Sequence, residues 1–293
     1  MSTDELKKIP HFGAGIGLRL ELAEDTLAHT KEINVVEIIA EHYFSSIEQG
    51  LTGILAAARA AYPVIPHGVD LSIASTVPIE KEYLQHADEL MRALGAHYYS
   101  DHFALTRSGD ELDIGHLSPV WFTKEMLENV VARVDHVQQT LGKPLVLENI
   151  TCPFVIPGAD FEEPEFISEV CRRTGCGLLL DVTNVFINAH NFKFDAQRMI
   201  ERYPIDSLVH VHLAGGEMED DVLIDTHSAS IDGVNEGVWP LFEWVVTNAD
   251  VKAVIIERDD DFKVSFDDTV LNDLRRIKSI WKKAKPEAEA FLH

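Results

Sequence analysis

The chain has 293 residues, of which 46% are hydrophobic and 25% are charged, as is typical of a water-soluble globular protein. Its formal net charge of −24 argues against nucleic acid or an anionic membrane surface as the main partner, because either would repel it. No segment approaches the ~18 apolar residues of a membrane span, and the first residues contain no apolar signal core.

The cysteines point to a reducing compartment. Cys152, Cys171 and Cys176 are odd in number and lack the spacing of a zinc ribbon or a thioredoxin motif. Without a disulfide framework, a cytoplasmic location is expected. We interpret Cys171 and Cys176 as packing residues, and Cys152 as a small hydrophobic residue near a strand end.

Short β-rich runs recur along the chain, and stretches with helical periodicity lie between them. The predicted strands are 15–19, 35–42, 64–70, 98–105, 145–150, 177–185, 208–216 and 253–260. The clearest predicted helices are 52–62, 78–95, 123–142 and 163–175. Thr123 is a predicted N-cap, and Gly142 and Gly175 are predicted helix stops.

Eight strands that alternate with helices in a chain of this length predict a (β/α)8 barrel. We expect a single domain over 1–293, with a core at about 13–262 and a C-terminal helix and tail at 263–293. A doubly wound sheet is the alternative, but it needs a glycine-rich phosphate loop after an early strand. The only candidate, GAGIG at 13–17, lies before and within the first strand. We therefore reject a dinucleotide site.

Almost every predicted strand from the second onward ends in side chains that can bind a metal ion. They are Glu41, His42, His67, Asp101, His102, Glu148, Asn149, Asp181, Asn184, His210, His212 and Glu257, with Asp225 and His227 in the loop after the seventh strand. Each one alone is better explained as a turn, a cap or a structural hydrogen bond. In a barrel, however, they converge on one mouth, where the carboxylates would repel one another unless cations lay between them.

Strand alternation narrows the choice, because neighbouring side chains point to opposite faces. Only one of Asp101 and His102 can point into the barrel, and we favour His102. In the next strand we favour Glu148 over Asn149, and Glu148 is also a natural bridge between ions.

The same rule applies to the later candidates. His210 and His212 share a face, and we favour His212 because it lies nearer the mouth. Asp225 and His227 also share a face if their segment is extended, so both could reach one ion.

Histidines and carboxylates without a thiolate suit iron, manganese or zinc, and argue against copper(I) and iron–sulfur clusters. One ion needs about four to six ligands, so roughly nine candidates imply two or three ions. Iron(II) would favour oxygen activation, whereas zinc or manganese would favour hydrolysis or isomerisation.

Five stretches resemble the multinuclear non-heme iron-dependent oxidative enzymes, also called the DUF692 family. These stretches are GIGLR, LLLDVTNVFINAHN, VHLAGG, LIDTHSAS and IIERDDD. The resemblance runs from about Gly13 to Phe262. It implies a TIM barrel with two or three irons, mixed Fe(II)/Fe(III), and O2 as co-substrate. The implied substrate is a residue, often cysteine, of a ribosomally made precursor peptide, and the implied partner is a small leader-peptide-binding protein, giving a heterodimer.

The resemblance also implies which residues form the site. By position, the iron ligands are His67, His102, Glu148, Asp181, Asn184, His212, Asp225, His227 and Glu257, with Asn184 included chiefly through the resemblance. Residues expected to contact the substrate or support the ligands are His42, Asp101, Asn149, Asn188, His210, Arg258 and Asp259.

The ending of the second strand, IIAEHYF, is similar to the 3-thiaglutamate branch, in which the β-carbon of a C-terminal peptide cysteine is excised. At His42, His210 and Arg258 the chain departs from many members of the family. These positions border the mouth and therefore concern the substrate rather than the metal ions.

Two other functions stay open at the level of sequence. One is a divalent-metal isomerase or hydrolase of the sugar-isomerase or endonuclease kind, although the acidic charge disfavours a nuclease. The other is a non-catalytic protein that stores or delivers metal. Iron with a visible absorption band would favour oxidation, colourless zinc or manganese would favour the isomerase, and metal without oxygen-dependent turnover would favour storage.

Overall fold

Strands and helices alternate along the chain as the sequence predicts. The computed structural model describes residues 3–108, 112–228, 230–231, 233–260 and 262–292. Its strands are β1 (Gly13–Gly17), β2 (Val35–Ile39), β3 (Val64–His67), β4 (Tyr99–His102), β5 (Leu105–Ser108), β6 (Leu112–Ser118), β7 (Leu145–Glu148), β8 (Gly177–Asp181), β9 (Leu208–Ala214), β10 (Gly216–Glu219), β11 (Val222–Asp225) and β12 (Ala253–Glu257).

Eight of these strands form a closed parallel barrel in the order β1-β2-β3-β4-β7-β8-β9-β12, and β12 pairs with β1 to close it. The other four form two antiparallel hairpins, β5–β6 and β10–β11. The predicted (β/α)8 barrel is therefore confirmed.

The helices surround the barrel. They are α1 (Thr3–Leu6), α2 (Ala23–Ala28), α3 (Glu41–Phe44), α4 (Gly53–Ala61), α5 (Lys81–Leu94), α6 (Lys124–Leu141), α7 (Glu163–Thr174), α8 (Val182–Phe192), α9 (Ala196–Ile200), α10 (Val238–Asn248) and α11 (Asn272–Ala284). Among the described helices, none is both long enough and apolar enough to cross a membrane.

The predicted helix signals act as expected. The Thr123 hydroxyl accepts a hydrogen bond from the Met126 amide at 3.2 Å and caps α6. Gly142 and Gly175 follow α6 and α7 with φ angles of 62° and 67°, a left-handed conformation that glycine adopts without a Cβ clash.

All eight barrel strands end earlier than predicted, and two of them are followed at once by a helix. The second ends at Ile39 rather than at residue 42, because the chain turns into the short helix α3. The sixth barrel strand, β8, ends at Asp181 rather than at residue 185. Asp181 accepts a hydrogen bond from the Asn184 amide at 2.8 Å, and this N-cap starts α8 directly after the strand.

Alternation along the strands builds the barrel interior in layers. In β8, Leu178 and Leu180 pack in the cluster beneath the helices, whereas Leu179 packs inside the barrel. The inner apolar layer, here called the floor, consists of Val35, Ile65, Tyr98, Val146, Leu179, Val209, Ala253 and Ile255, with Leu6 and Ile9 packed against them. On each strand, the next side chain that points inward therefore lies one layer closer to the mouth than the floor does.

The glycines of the first strand allow strands to approach closely. A Cβ at Gly15 would lie 1.7 Å from the carbonyl oxygen of Val35, so a side chain there is incompatible with the β1–β2 pairing. GAGIG therefore has a packing role in a barrel strand, consistent with the absence of a phosphate-loop context in the sequence.

Candidate metal centre

A ring of titratable side chains lies in the layer above the floor. Most barrel strands contribute a member, and all members are buried: Glu37 from β2, His67 from β3, His102 from β4, Glu148 from β7, Asp181 from β8, His210 and His212 from β9, and Glu257 from β12. Their donor atoms form three groups that could each hold an ion: His67–His102–Glu148, Glu148–Asp181–His212–Glu257, and Glu37–His210–His212.

The first group surrounds one carboxylate oxygen. Oε2 of Glu148 lies 3.3 Å from Nε2 of His102 and 3.5 Å from Nε2 of His67. This oxygen is buried and accepts no hydrogen bond within the described part of the chain. Two imidazole nitrogens that face one oxygen without a hydrogen bond are an arrangement that suits a metal ion.

The second group uses the other oxygen of the same carboxylate. Oε1 of Glu148 lies 3.0 Å from Nδ1 of His212, and Oε2 of Glu257 lies 3.2 Å from that nitrogen. Asp181 completes the group, and its Oδ2 atom is buried without a hydrogen bond among the described residues. Glu148 therefore faces two groups of candidate ligands.

Asp225 and His227 lie with Glu257 at the mouth and form a further group, here called the third group in place of the deeper Glu37–His210–His212 set. Nε2 of His227 lies 3.0 Å from Oδ1 of Asp225 and 3.6 Å from Oε2 of Glu257. His227 has a φ angle of 47°, a left-handed conformation that is uncommon for a residue with a side chain and is found preferentially at functional sites. Glu257 is thus shared between the second and third groups.

Asn184 lies beside these groups on the first turn of α8. Its side-chain amide donates to the carbonyl oxygen of Asn149 at 3.1 Å. Its Oδ1 atom is buried and has no hydrogen-bond partner within the described ranges. That oxygen is consequently available to a metal ion.

The pKa shifts of the ring histidines differ in direction, so some are neutral and others are protonated. Burial lowers the pKa of His102 to about 4 and the pKa of His67 well below its usual value, so both present free lone pairs at neutral pH. Burial also lowers the pKa of His212, but the carboxylates of Glu148 and Glu257 outweigh it and raise this pKa well above its usual value.

Burial and neighbouring charges also shift the pKa values of the carboxyl groups. Burial raises the pKa of Asp181 well above its usual range, and the neighbouring charge of Glu148 adds to this effect. Burial raises the pKa of Glu148 to about 7, although His212 opposes the shift. The metal-free ring therefore retains protons that bound cations would displace.

The donor set fits a multi-metal centre. Many buried polar atoms of the ring have no hydrogen-bond partner among the described residues: Glu37 Oε2, His102 Nδ1, Glu148 Oε2, Asp181 Oδ2, Asn184 Oδ1, His210 Nε2, His212 Nε2, Asp225 Oδ1 and His227 Nε2. Each such atom costs free energy when it is buried alone. Cations between the groups would satisfy those of these atoms that face them, such as Glu148 Oε2 and Asp181 Oδ2.

The residues predicted to contact the substrate or support the ligands occupy different places in the fold. His42 is exposed on α3, because the second strand ends three residues before it. Asp101 points away from the ring, and its Oδ2 accepts hydrogen bonds from the Leu71 amide and the Tyr83 hydroxyl, each at 3.2 Å. His210 points inward but lies deeper than His212, next to the floor.

The side chains of Asn149 and Asn188 form hydrogen bonds with backbone groups. The side chain of Asn149 bonds both the amide and the carbonyl group of Asp181, at 2.9 and 3.0 Å, and so holds β7 against the end of β8. Asn188 accepts from the Cys152 amide at 2.8 Å and donates to the Ile150 carbonyl oxygen at 3.0 Å. Both position the loop after β7.

The two residues after Glu257 differ in role. Arg258 is buried, and its Nε donates to the carbonyl oxygen of Asp260 at 2.9 Å. Asp259 lies 2.9 Å from Nδ1 of His227 and 2.5 Å from Nε of Arg19. Asp259 therefore orients a candidate ligand, and Arg19 in turn holds Asp259.

Sequence reasoning missed Glu37. It is the only acid in the apolar run VVEII, its side chain points into the barrel, and its Oε1 lies 3.0 Å from Nε2 of His212. Our prediction considered only the ends of strands, and Glu37 lies in the middle of one. A lone acid within a buried strand is the signal that could have revealed it.

The cysteines lie outside the ring. Cys171 and Cys176 are buried, with their sulfur atoms 3.7 Å apart. Burial raises the pKa of Cys152 to about 12, so its thiol stays protonated. The interpretation of Cys171 and Cys176 as packing residues agrees with their burial.

Comparison with known proteins gives the same family as the sequence motifs. Residues 13–282 match the family model described as RiPP precursor modification enzyme MbnB/TglH/ChrH, where RiPP denotes a ribosomally synthesised and post-translationally modified peptide. A UPF0276 protein of Anaeromyxobacter sp. (strain Fw109-5) is 34% identical over 249 residues, which are 85% of this chain and 86% of that relative. A UPF0276 protein of Caulobacter vibrioides (strain NA1000 / CB15N) is 34% identical over 254 residues, 86% of this chain and 89% of the relative.

Solved structures extend the comparison to the fold alone. A D-psicose 3-epimerase from Clostridium cellulolyticum H10 superposes with a TM-score of 0.55 at 13% identity, covering 96% of this chain and 99% of that chain. The IOLI protein with a binding zinc atom gives a TM-score of 0.56 at 13% identity, covering 94% and 98%. The motifs, the family model and the relatives agree, so the chain belongs to the MbnB/TglH/ChrH family of RiPP precursor modification enzymes.

Proposed function

We propose that this protein is an iron-dependent oxidoreductase that uses O2 to modify a residue, most simply cysteine, of a ribosomally made precursor peptide. The observation that carries the proposal is the sharing of carboxylates. Glu148 faces both the first and the second ligand group, and Glu257 faces both the second and the third. Shared carboxylates would hold ions close enough to act on one substrate together.

The proposed ligands follow from the three groups. They are His67, His102 and Glu148 for the first ion, Glu148, Asp181, His212 and Glu257 for the second, and Asp225, His227 and Glu257 for the third. We add Asn184 to the proposed ligands because its buried Oδ1 atom has no hydrogen-bond partner among the described residues. We propose two or three iron ions in mixed Fe(II)/Fe(III) states. Iron in a histidine-and-carboxylate site with open positions supplies oxygen activation.

The chain's own residues would prepare the site. His67 and His102 are neutral and ready to bind, whereas His212 and Asp181 would release protons as cations enter. The floor closes the barrel below the ring, so O2 and substrate would enter from the mouth. Asp259 would keep His227 oriented at that entrance.

A peptide substrate is supported by an apolar pocket of about 330 Å³ beside the loop that follows β7. Phe154 and Val155 line it and are 57% and 72% exposed, which is unusual for large apolar side chains on a free surface. Asn188 also lines this pocket, and it lies one helical turn after Asn184. An apolar side chain of the peptide would bind here while a neighbouring residue enters the barrel.

Mass spectrometry tests the proposal. Iron(II)-loaded protein is incubated in air with candidate precursor peptides and small partner proteins identified from the neighbouring genes. We expect a mass change that needs O2, and loss of one methylene group if the β-carbon of a C-terminal cysteine is excised. An unchanged peptide with protein, iron, partner and O2 present would refute the oxidation.

Elemental analysis separates this proposal from the isomerase or hydrolase alternative. Iron with visible absorption supports oxidation, whereas colourless zinc or manganese with turnover of a sugar or ester would support the alternative. The likeness to epimerases is a likeness of fold and does not by itself favour that reaction.

A further inference from the structure

A second group of polar side chains lies beneath the candidate metal centre, between His212 and the floor. It consists of Glu37, His210 and the hydroxyl group of the floor residue Tyr98, here called the lower cluster, and each of the three residues is buried. Oε2 of Glu37 lies 3.6 Å from Nδ1 of His210, and the Tyr98 hydroxyl lies 3.2 Å from the same nitrogen. None of the three is among the ligands that we propose for iron.

The lower cluster contacts the metal centre through His212. Nε2 of His212 lies 3.0 Å from Oε1 of Glu37. The opposite ring nitrogen, Nδ1, is hydrogen-bonded to Oε1 of Glu148 at 3.0 Å and lies 3.2 Å from Oε2 of Glu257, so a metal ion bound there would replace this hydrogen bond. The ring of His212 therefore stands between one carboxylate below and the proposed ligands of the second ion above.

A neutral imidazole has one proton, and its position decides which nitrogen can bind a metal ion. If the proton is on Nε2, the lone pair of Nδ1 points towards Glu148, Asp181 and Glu257. A carboxylate next to Nε2 favours this tautomer, because it can accept the Nε2 proton in a hydrogen bond. Glu37 is the carboxylate in that position.

We propose that Glu37 is a positioning residue that holds the Nε2 proton of His212 and thereby presents Nδ1 to the metal centre. The inference rests on the proposed role of His212 as a ligand. Nδ1 of His210 lies 3.6 Å from the other oxygen of Glu37, and the Tyr98 hydroxyl contacts the same nitrogen of His210. The Glu37–His212 contact is close without being aligned as a hydrogen bond, so a small rotation of the ring on metal binding would align it.

A metal ion in the lower cluster is the competing explanation, since Glu37, His210 and His212 could hold one. Such an ion would take the Nε2 lone pair of His212. His212 would then have to leave the upper centre or bind ions through both nitrogens. Three carboxylates lie in the group above His212 and one lies below it, so the charge distribution favours the ion above.

A purely structural role predicts a different outcome on mutation. Replacing a buried charged group by an apolar one of similar volume is often neutral or stabilising. Glu37→Leu should therefore keep or raise the stability of the metal-free protein if it alters nothing else. A positioning role predicts in addition a loss of metal affinity, which stability alone would not reveal.

Anaerobic titration of the full chain with iron(II) against a competing chelator tests the inference, together with the visible spectrum of the cobalt(II) protein. For Glu37→Leu we expect roughly 10- to 100-fold weaker binding of one ion and a shifted cobalt spectrum. Glu37→Gln retains an oxygen acceptor, so we expect a smaller loss. Glu41→Gln is the matched control, because Glu41 accepts from the backbone amides of Val69 and Asp70 rather than from a proposed ligand.

Three results would decide against the positioning role. Folded Glu37→Leu protein with wild-type affinity and spectrum would overturn it. An equal loss in Glu41→Gln would show that the effect is not specific to Glu37. Loss of one whole metal equivalent in His210→Gln would show that the lower cluster itself binds an ion. None of these measurements uses peptide or O2. If the variants lose metal affinity as expected but the wild type never modifies a peptide, the proposed oxidation is refuted and the positioning role of Glu37 is not.

Discussion

His102 and Glu148 are paired residues on adjacent barrel strands, and Nε2 of His102 lies 3.3 Å from Oε2 of Glu148. The pairing of β4 with β7 therefore determines the distance between an imidazole and a carboxylate that both point inward. A ligand pair built on two hydrogen-bonded strands is held more rigidly than one built on loops.

Glu148→Gln should remove more metal than loss of a single ligand would. Because the carboxylate faces two ligand groups, we expect the protein to lose at least one bound equivalent and to bind the rest more weakly. Metal content by elemental analysis measures this. Glu163→Gln, which changes an acid outside the ring, should bind the wild-type amount. Full metal content in Glu148→Gln would exclude a bridging role.

His227→Asn should remove only the metal ion proposed for the third group, at the mouth. Asparagine tolerates the left-handed conformation at this position, so the substitution removes the imidazole with little backbone strain. We expect loss of one metal equivalent, while the ions near His67 and His212 remain. Elemental analysis and the cobalt(II) spectrum report both changes. Complete loss of metal would mean that the three groups do not fill independently.

Chelation should lower the stability of the whole barrel. The metal-free ring buries carboxylates close together, and a ligand that binds only the folded state stabilises it by mass action. At about a hundredfold excess over the dissociation constant this amounts to ~2.7 kcal/mol per ion. We expect a lower unfolding temperature with a chelator and recovery when iron(II) is added back without oxygen. An unfolding temperature that responds to neither addition would contradict a metal centre.

Glu163 should make the stability depend on pH. Burial raises its pKa to about 7, and a hydrogen bond from Tyr203 partly offsets the shift. The folded state therefore binds more protons than the unfolded chain between pH ~4.5 and ~7. Protonation of Glu163 thus favours the folded state at low pH, and the free energy of unfolding falls as the pH rises through this range.

Comparison of the wild type with Glu163→Gln isolates the contribution of this residue. Between about pH 5 and pH 8, the free energy of unfolding of the wild type should fall relative to Glu163→Gln by about 1–3 kcal/mol. Urea denaturation at several pH values measures the difference. A constant difference across this range would mean that Glu163 titrates normally in the folded protein.

The sequence was sufficient to predict the barrel and most of the ring, because strand periodicity is a local property. Alternation correctly placed His102 and Glu148 inside and Asp101 outside. The ends of strands were harder to predict, since they depend on where the next helix starts. α3 begins at Glu41, and this places His42 on a helix rather than at the end of β2.

Glu37 shows a second limit of sequence-based prediction. Its importance comes from His212, which is 175 residues away in the chain and becomes a neighbour only through barrel closure. No local pattern reports such a distance. The left-handed conformation of His227 is likewise a property of the folded loop and is not visible in the letters IDTHSAS.

The closure of β12 against β1 has a consequence for biosynthesis. The last barrel strand brings Glu257 next to His212, so two of the three proposed ion sites stay incomplete until the ribosome has made nearly the whole chain. The proposed second and third ions would then be acquired only after β12 has been made, and translation products that stop before this strand would lack the carboxylate that these two sites share.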